Sequence, residues 1–260
     1  MMQTTKPLAG VRILITRSKA ENQTLAKKLR KLGAVPAELP TIAFAPPENT
    51  GPMDESIRML WRYDWLIFTS QNGVQFFSKR MAAVGEPTAR LREIKVAAIG
   101  PATAAALVRI GKKPDYVPNS FLSKQIVYGL GNVKGKRILL PRADIASKIL
   151  PEELRKQGGN VDEVVAYRTT IPQDLSLDGL LLILKEGVDV VTFTSPSTVR
   201  NLAHIANDGL GALLKGVKVA CIGPVTADAA KEIGIHVDII ASNHTVDDLV
   251  ETIVNEIRTV

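Results

Sequence analysis

The sequence predicts an α/β protein made of two doubly wound parallel-sheet domains, and three observations predict it. Apolar, strand-like runs alternate with helix-like stripes along the whole chain, as strands joined by crossover helices require. The strand-to-helix junctions of the first half recur, in the same order, in the second half. The length, 260 residues, exceeds a typical domain of ~100–150 residues and suits two modest ones.

Taken in order, Val11-Arg12-Ile13-Leu14-Ile15 reads as the first strand. Ser18 and Glu21 have capping-box spacing, the serine oxygen meeting a free backbone N–H and the glutamate reaching back. Leu25, Leu29 and Leu32 then form one apolar stripe of a helix that Gly33 ends. Asp64–Ser70 and Lys95–Thr103 are further strands with their exit turns, and Pro114–Val117 closes the first set. Arg12–Arg17 matches Arg137–Arg142, and Asp64–Ser70 matches Asp189–Ser195, both at a shift of 125. Lys95–Thr103 matches Lys218–Thr226 at 123, and Pro114–Val117 is answered by Val237–Ile240. Four ordered matches define a duplicated unit of about 120 residues, far longer than the period of a stacked repeat. Each copy holds five strand candidates, which suits a flavodoxin-like sheet, and two similar lobes are expected to face one another.

Hydrophobic residues at 45% and charged residues at 23% exclude disordered and fibrous chains. Lys and Arg number 33 against 26 acidic residues, a net +7 that suits an anionic partner or serves solubility alone. Aromatic residues at 5% weaken a base-stacking nucleic-acid surface. A single cysteine, Cys221, excludes internal disulfides, and its apolar run predicts a buried inert thiol. Met1–Pro7 lacks the apolar core of a signal peptide and no run is long enough to span a membrane, so a soluble cytoplasmic chain is expected. His204, His236 and His244 lack metal-ligand spacing, and no metal site is expected.

Ligands of doubly wound sheets sit beyond the carboxyl ends of the strands, where the repeated motifs fall. Ser70 and Ser195 are natural N-caps, a role that explains them without any ligand. Gly100-Pro101-Ala102-Thr103 and Gly223-Pro224-Val225-Thr226 offer close backbone approach, a proline for the first turn and uncovered N–H groups, a combination that receives a carboxylate or phosphate. Neither copy has a dinucleotide or P-loop glycine pattern, so no nucleotide cofactor is expected. Arg17 and Arg142 follow the first strand of each copy, either as carboxylate donors or in salt bridges to a neighbouring loop. Lys95 and Lys218 fall at the opposite strand ends as solvated charges. Tyr167 stands where the 125-residue shift gives Ile42, so the repeat is broken there. A phenol is protonated at neutral pH and can donate a proton, although from position alone a packed junction tyrosine is the stronger reading.

The motif order now becomes recognisable. Ile15-Thr16-Arg17, Phe68-Thr69-Ser70, Ile99-Gly100-Pro101-Ala102-Thr103, Leu140-Pro141-Arg142, Val164-Val165-Ala166-Tyr167-Arg168-Thr169, Phe193-Thr194-Ser195-Pro196-Ser197 and Ile222-Gly223-Pro224-Val225-Thr226 together resemble the uroporphyrinogen-III synthase family, from Val11 to about Val254. The resemblance implies crossed connectivity, with 1–37 joined to 170–260, 38–169 inserted, and a two-stranded linker near 36–41 and 164–172. Periodicity alone would cut the chain near 134.

The resemblance also implies a cyclising lyase that converts hydroxymethylbilane into uroporphyrinogen III, with loss of water and inversion of ring D, and without cofactor or metal. An azafulvene-like cation, a spiro intermediate and re-closure would follow departure of the hydroxyl, which Tyr167 would assist. Ser70, Gly100, Thr103, Ser195, Ser197, Gly223 and Thr226, with Arg17 and Arg142, would hold the eight substrate carboxylates. A monomer with a mobile cleft is expected, in transient contact with the enzyme that supplies its substrate. The rival readings are a non-catalytic two-lobed sensor of an anionic ligand and, more remotely, a nucleic-acid binder, for which no recognition motif is present.

Overall fold

Short runs of aliphatic and β-branched residues, buried on both sides, form the inner strands of this chain, as parallel sheets covered by helices on both faces demand. The computed structural model describes residues 6–119, 123–207 and 209–258. The strands are β1 (Arg12–Ile15), β2 (Val35–Glu38), β3 (Ala43–Ala45), β4 (Trp65–Phe68), β5 (Lys95–Ala98), β6 (Arg137–Ala143), β7 (Asn160–Thr170), β8 (Val190–Phe193), β9 (Lys218–Cys221) and β10 (Ile239–Ile240). Contacts divide the chain into two units: the segments up to Ala43 and from Thr170 onward form a split unit, and Phe44–Thr169 forms an inserted one.

The split unit holds one sheet in the order β2-β1-β8-β9-β10, with parallel pairing throughout. Numbered within the unit, that is 2-1-3-4-5, the flavodoxin-like order. The inserted unit holds β3-β7-β6-β4-β5, parallel from β7 to β5, with Tyr116 bridging Ala97 in parallel. Set aside β3, and β7-β6-β4-β5 followed by Tyr116 repeats the same order. The sheets therefore ignore the repeat boundary near 134. β1 and β2 pair within the sheet of the second copy, whereas β6 and β7 join β4 and β5 of the first. The segments expected to link the units fall in β2 with the turn after it, and in the end of β7 with the residues that follow.

Alternation along single strands builds a core on each sheet face. In β4, Leu66 and Phe68 pack with Phe77, Val96 and Met81, while Trp65 and Ile67 pack with Ile126, Ile138 and Leu154 on the other face. In β1, Leu14 joins Phe193, Leu202 and Val219, while Ile13 and Ile15 join Leu25, Leu29 and Leu249. Cys221 is fully buried, and burial pushes its thiol up to about 12.

The helix after β1, Lys19–Lys31, corrects one local expectation. Ser18 is the N-cap, but its hydroxyl donates to the Glu21 carboxylate at 2.6 Å and caps no backbone N–H. Burial opposes ionisation of Glu21, yet the Arg17 charge and the Ser18 hydrogen bonds outweigh it and lower its pKa. Half of the box is present, since Glu21 also accepts a backbone hydrogen bond from Ser18, while the serine hydroxyl points at the carboxylate and its oxygen meets no backbone N–H. A reciprocal box does form at Ser195 and Thr198, where Ser195 Oγ accepts the Thr198 N–H at 3.3 Å and Thr198 Oγ1 accepts the Ser195 N–H at 3.4 Å. Among the described residues, no helix is long and apolar enough to cross a membrane.

Candidate active site

In the inserted unit, three strands deliver their exit turns to one sheet end. β4 leads through Thr69 to Ser70, an extended N-cap residue (φ −152°) whose oxygen accepts the Gly73 N–H at 3.0 Å at the start of the helix Gln71–Ala83. β5 leads to Gly100, at φ 101° and ψ 158°, a conformation that L side chains rarely adopt. The helix Pro101–Arg109 begins there with no side-chain cap, which leaves backbone N–H groups for an anion. Thr103 is buried, and its hydroxyl donates back to the Ile99 carbonyl at 3.2 Å, so it packs the turn it was expected to present.

Tyr167 lies on β7, which neighbours β6 and β3. It is 6% exposed. Phe76 stacks on it with ring centroids 5.5 Å apart at 22°, and Phe44 meets it edge-on at 5.5 Å and 89°. Its phenol oxygen lies 3.0 Å from Ser70 Oγ. The sequence placed Ser70 and Tyr167 in separate roles, and the structure brings them together. The flanking phenylalanines were missed because neither carries chemistry by itself. No local signal pointed to them: Phe44 is the middle residue of β3 and Phe76 lies in the second turn of the helix after Ser70, and they meet the tyrosine only through the fold.

Arg142 lies near the end of β6 and turns inward. Its Nη1 donates to Glu163 at 2.8 Å and its Nη2 to the Ser147 carbonyl, while its buried Nε has no partner. Lys148 and Arg155 reach the same carboxylate, at 3.5 and 3.1 Å. Burial resists ionisation of Glu163, and these cations overcome it to hold the pKa below the ordinary carboxylate range. Of the two sequence readings, the structure shows the ion pair.

The split unit repeats this arrangement with its own details. Arg17 pairs with Glu21 at 2.8 Å and keeps buried Nε and Nη1 groups that have no partner. Ser195 caps the helix Pro196–Ile205, with Ser197 half-buried in its first turn. β9 leads to Gly223 at the start of the helix Pro224–Glu232, where Thr226 is buried. Here φ is 174°, extended backbone open to any residue. Glycine is needed for another reason: a Cβ would lie 2.2 Å from His244 Nδ1. His244, on a left-handed turn at φ 54°, was noticed in the sequence only as a poor metal ligand. Lys95 and Lys218 begin β5 and β9, at the ends away from these turns. Among the described residues, no cluster of three His, Cys, Asp or Glu could hold a metal ion.

Each unit by itself offers backbone N–H groups at helix starts and one inward arginine, and the inserted unit adds a buried phenol, a chemistry that suits carboxylates more than a neutral ligand. The family model described as "Uroporphyrinogen-III synthase HemD" matches residues 23–251. A uroporphyrinogen-III synthase of Synechococcus elongatus is 33% identical over 250 residues, 94% of each chain. Among solved structures, uroporphyrinogen-III synthetase of Helicobacter pylori 26695 shares the fold with a TM-score of 0.66 at 20% identity, covering 95% of this chain and 99% of that one. A mutant uroporphyrinogen III synthase of the extreme thermophile Thermus thermophilus gives 0.61 at 21%, covering 96% and 100%.

Proposed function

Because the chain belongs to the uroporphyrinogen-III synthase family and so to the enzymes of tetrapyrrole synthesis, we propose that it cyclises hydroxymethylbilane to uroporphyrinogen III, as a lyase that eliminates water and inverts ring D. The observation that carries this reading is the match across residues 23–251, reinforced by 33% identity over 94% of the chain. The substrate partner is an anionic small molecule, and no cofactor, metal or nucleic acid enters the proposed reaction. The protein would act as a cytoplasmic monomer, in passing contact with the enzyme that makes its unstable substrate.

In this proposal Tyr167 assists departure of the terminal hydroxyl. The C–O bond breaks, its electron pair leaves with oxygen, and the phenol proton completes a water molecule. An electron-rich pyrrole ionises readily, so an acid contributing about 10²–10⁴-fold suffices, provided conformation is controlled. The helix-start amides at Ser70, Gly100, Ser195 and Gly223, with Ser197, would fix acetate and propionate groups. Buried Thr103 and Thr226 would hold those turns in shape. Arg17 keeps buried donors that a carboxylate could engage, whereas Arg142 has Glu163 as its partner and would contribute mainly a fixed positive field.

The test is to supply enzymatically made hydroxymethylbilane and separate the product isomers. Uroporphyrinogen III is expected, and uroporphyrinogen I alone, the product of unassisted closure, would refute the assignment.

A further inference from the structure

Ser70 Oγ lies 3.0 Å from the Tyr167 phenol oxygen and also accepts the Gly73 backbone N–H at 3.0 Å. A hydroxyl has one proton and two lone pairs, so the direction of the Ser70–Tyr167 bond decides what the tyrosine can do. Were the phenol the donor, its proton would be held inside the protein. With serine as the donor, the phenol proton can be passed on, and the phenolate left behind receives a charge-assisted hydrogen bond.

We propose that Ser70 is a positioning residue for the acid step: its hydroxyl donates to the Tyr167 oxygen, aims the phenol, and stabilises the phenolate formed when the proton leaves. The proposal rests on Tyr167 being the acid of the reaction set out above. The balance is simple. The substrate C–O bond breaks, its electron pair goes with oxygen, the phenol proton joins it as water, and charge stays on the phenolate. The proton released when the last pyrrole is restored returns to that phenolate.

The surroundings favour this direction. Gly73 N–H belongs to the first turn of a 13-residue helix, whose positive end polarises the serine oxygen and makes its O–H a better donor. Phe44 and Phe76 hold the phenol ring from two sides, edge-on and stacked, and so fix the ring beside Ser70. A Cβ at Gly73 would sit 3.3 Å from both Ser70 Oγ and the Pro141 carbonyl oxygen, so the glycine keeps that turn close to the serine and to β6.

The experiment compares Ser70→Gly with Ser70→Thr. Glycine serves almost as well as serine at an N-cap, so Ser70→Gly removes the donor and spares the helix, whereas threonine supplies both cap and donor. Two quantities are read: kcat and KM with hydroxymethylbilane, and, without substrate, the tyrosinate absorbance titration. The Tyr167 step is identified among the four tyrosines by its loss in Tyr167→Phe. For Ser70→Gly, kcat is expected to fall about tenfold with KM within about twofold, and the Tyr167 step to move up by about one pH unit, as loss of a bond to the charged form requires. Ser70→Thr restores both. A raised KM at unchanged kcat, with the tyrosinate step unmoved, would overturn the proposal and leave Ser70 as a substrate ligand. A moved step in a protein whose wild type yields only uroporphyrinogen I would instead overturn the functional reading while keeping the hydrogen bond.

Discussion

Replacing Arg142 by methionine tests whether its guanidinium serves the fold of the inserted unit. The Arg142 side chain is 8% exposed and that of Glu163 is 17% exposed, with 2.8 Å between them. Methionine keeps much of the stem volume and removes the charge, the bond to Glu163 and the donation to the Ser147 carbonyl. Stripping one partner from a buried pair costs about 3–5 kcal/mol when the other is left bare. Glu163 is not left bare, because Lys148 and Arg155 remain on it, so the expected loss is about 2–3 kcal/mol. For a unit of this size that lowers Tm by roughly 6–12 °C, read by calorimetry or urea unfolding at pH 7. The sign of the pH dependence follows from Glu163. Its native pKa lies below the reference 4.5, since the surrounding cations outweigh the opposing effect of burial. A carboxylate with a depressed native pKa contributes stability above the unfolded value and loses it as pH falls through the native one. The gap between wild type and variant should thus be full at pH 7 and narrow below pH 4.5. Equal midpoints at pH 7, together with a weakened substrate KM, would refute this reasoning and return Arg142 to substrate binding.

Tyr167→Phe should reduce kcat by about 10²–10⁴-fold with little change in unfolding midpoint, checked by isomer-resolved assays beside thermal melts. Gly100→Ala should cost about 1–3 kcal/mol, because alanine must adopt φ 101°, and no second substitution should recover it. Gly223→Ala should destabilise through contact with His244 instead, so adding His244→Ala should recover most of the loss in urea titrations. Cys221, fully buried with its thiol raised to about 12, should resist alkylation in the native protein at pH 8 and react fully in denaturant, as mass spectrometry would show.

The parts of the fold that local sequence could show are those set by short-range chemistry. Strand interiors, the N-cap serines and the glycine turns are fixed by neighbours within a few residues, which is why the shifts of 125 and 123 stand out. Sheet partnership is not local. Nothing within Arg12–Ile15 says that its neighbour will be Val190–Phe193, so the exchange of strands between repeats came only through family resemblance. The site shows the same division. Ser70 and Tyr167 could each be named, but 97 residues separate them, and their hydrogen bond exists only once β4 and β7 share a sheet. Ser18 and Glu21 had the right spacing for a box and form half of it, the glutamate reaching back to the Ser18 backbone while the serine hydroxyl turns to that carboxylate and to no backbone N–H. Gly100 and Gly223 occupy equivalent positions for different reasons, one conformational and one of contact, a difference no repeat comparison can see.

The exchange of β1 and β2 between repeats also sets a schedule for synthesis. The inserted unit is one continuous stretch, so all its strands have been synthesised once Thr170 has been made, and domains generally fold as units, N-terminal first. β1 lies inside its sheet, between β2 and β8, and β8 begins only at Val190. Until then one whole edge of an apolar strand has no partner, a hazard for pairing with other nascent chains. Ribosome pausing before residue 190 should therefore raise aggregation, whereas pausing after β9 should not.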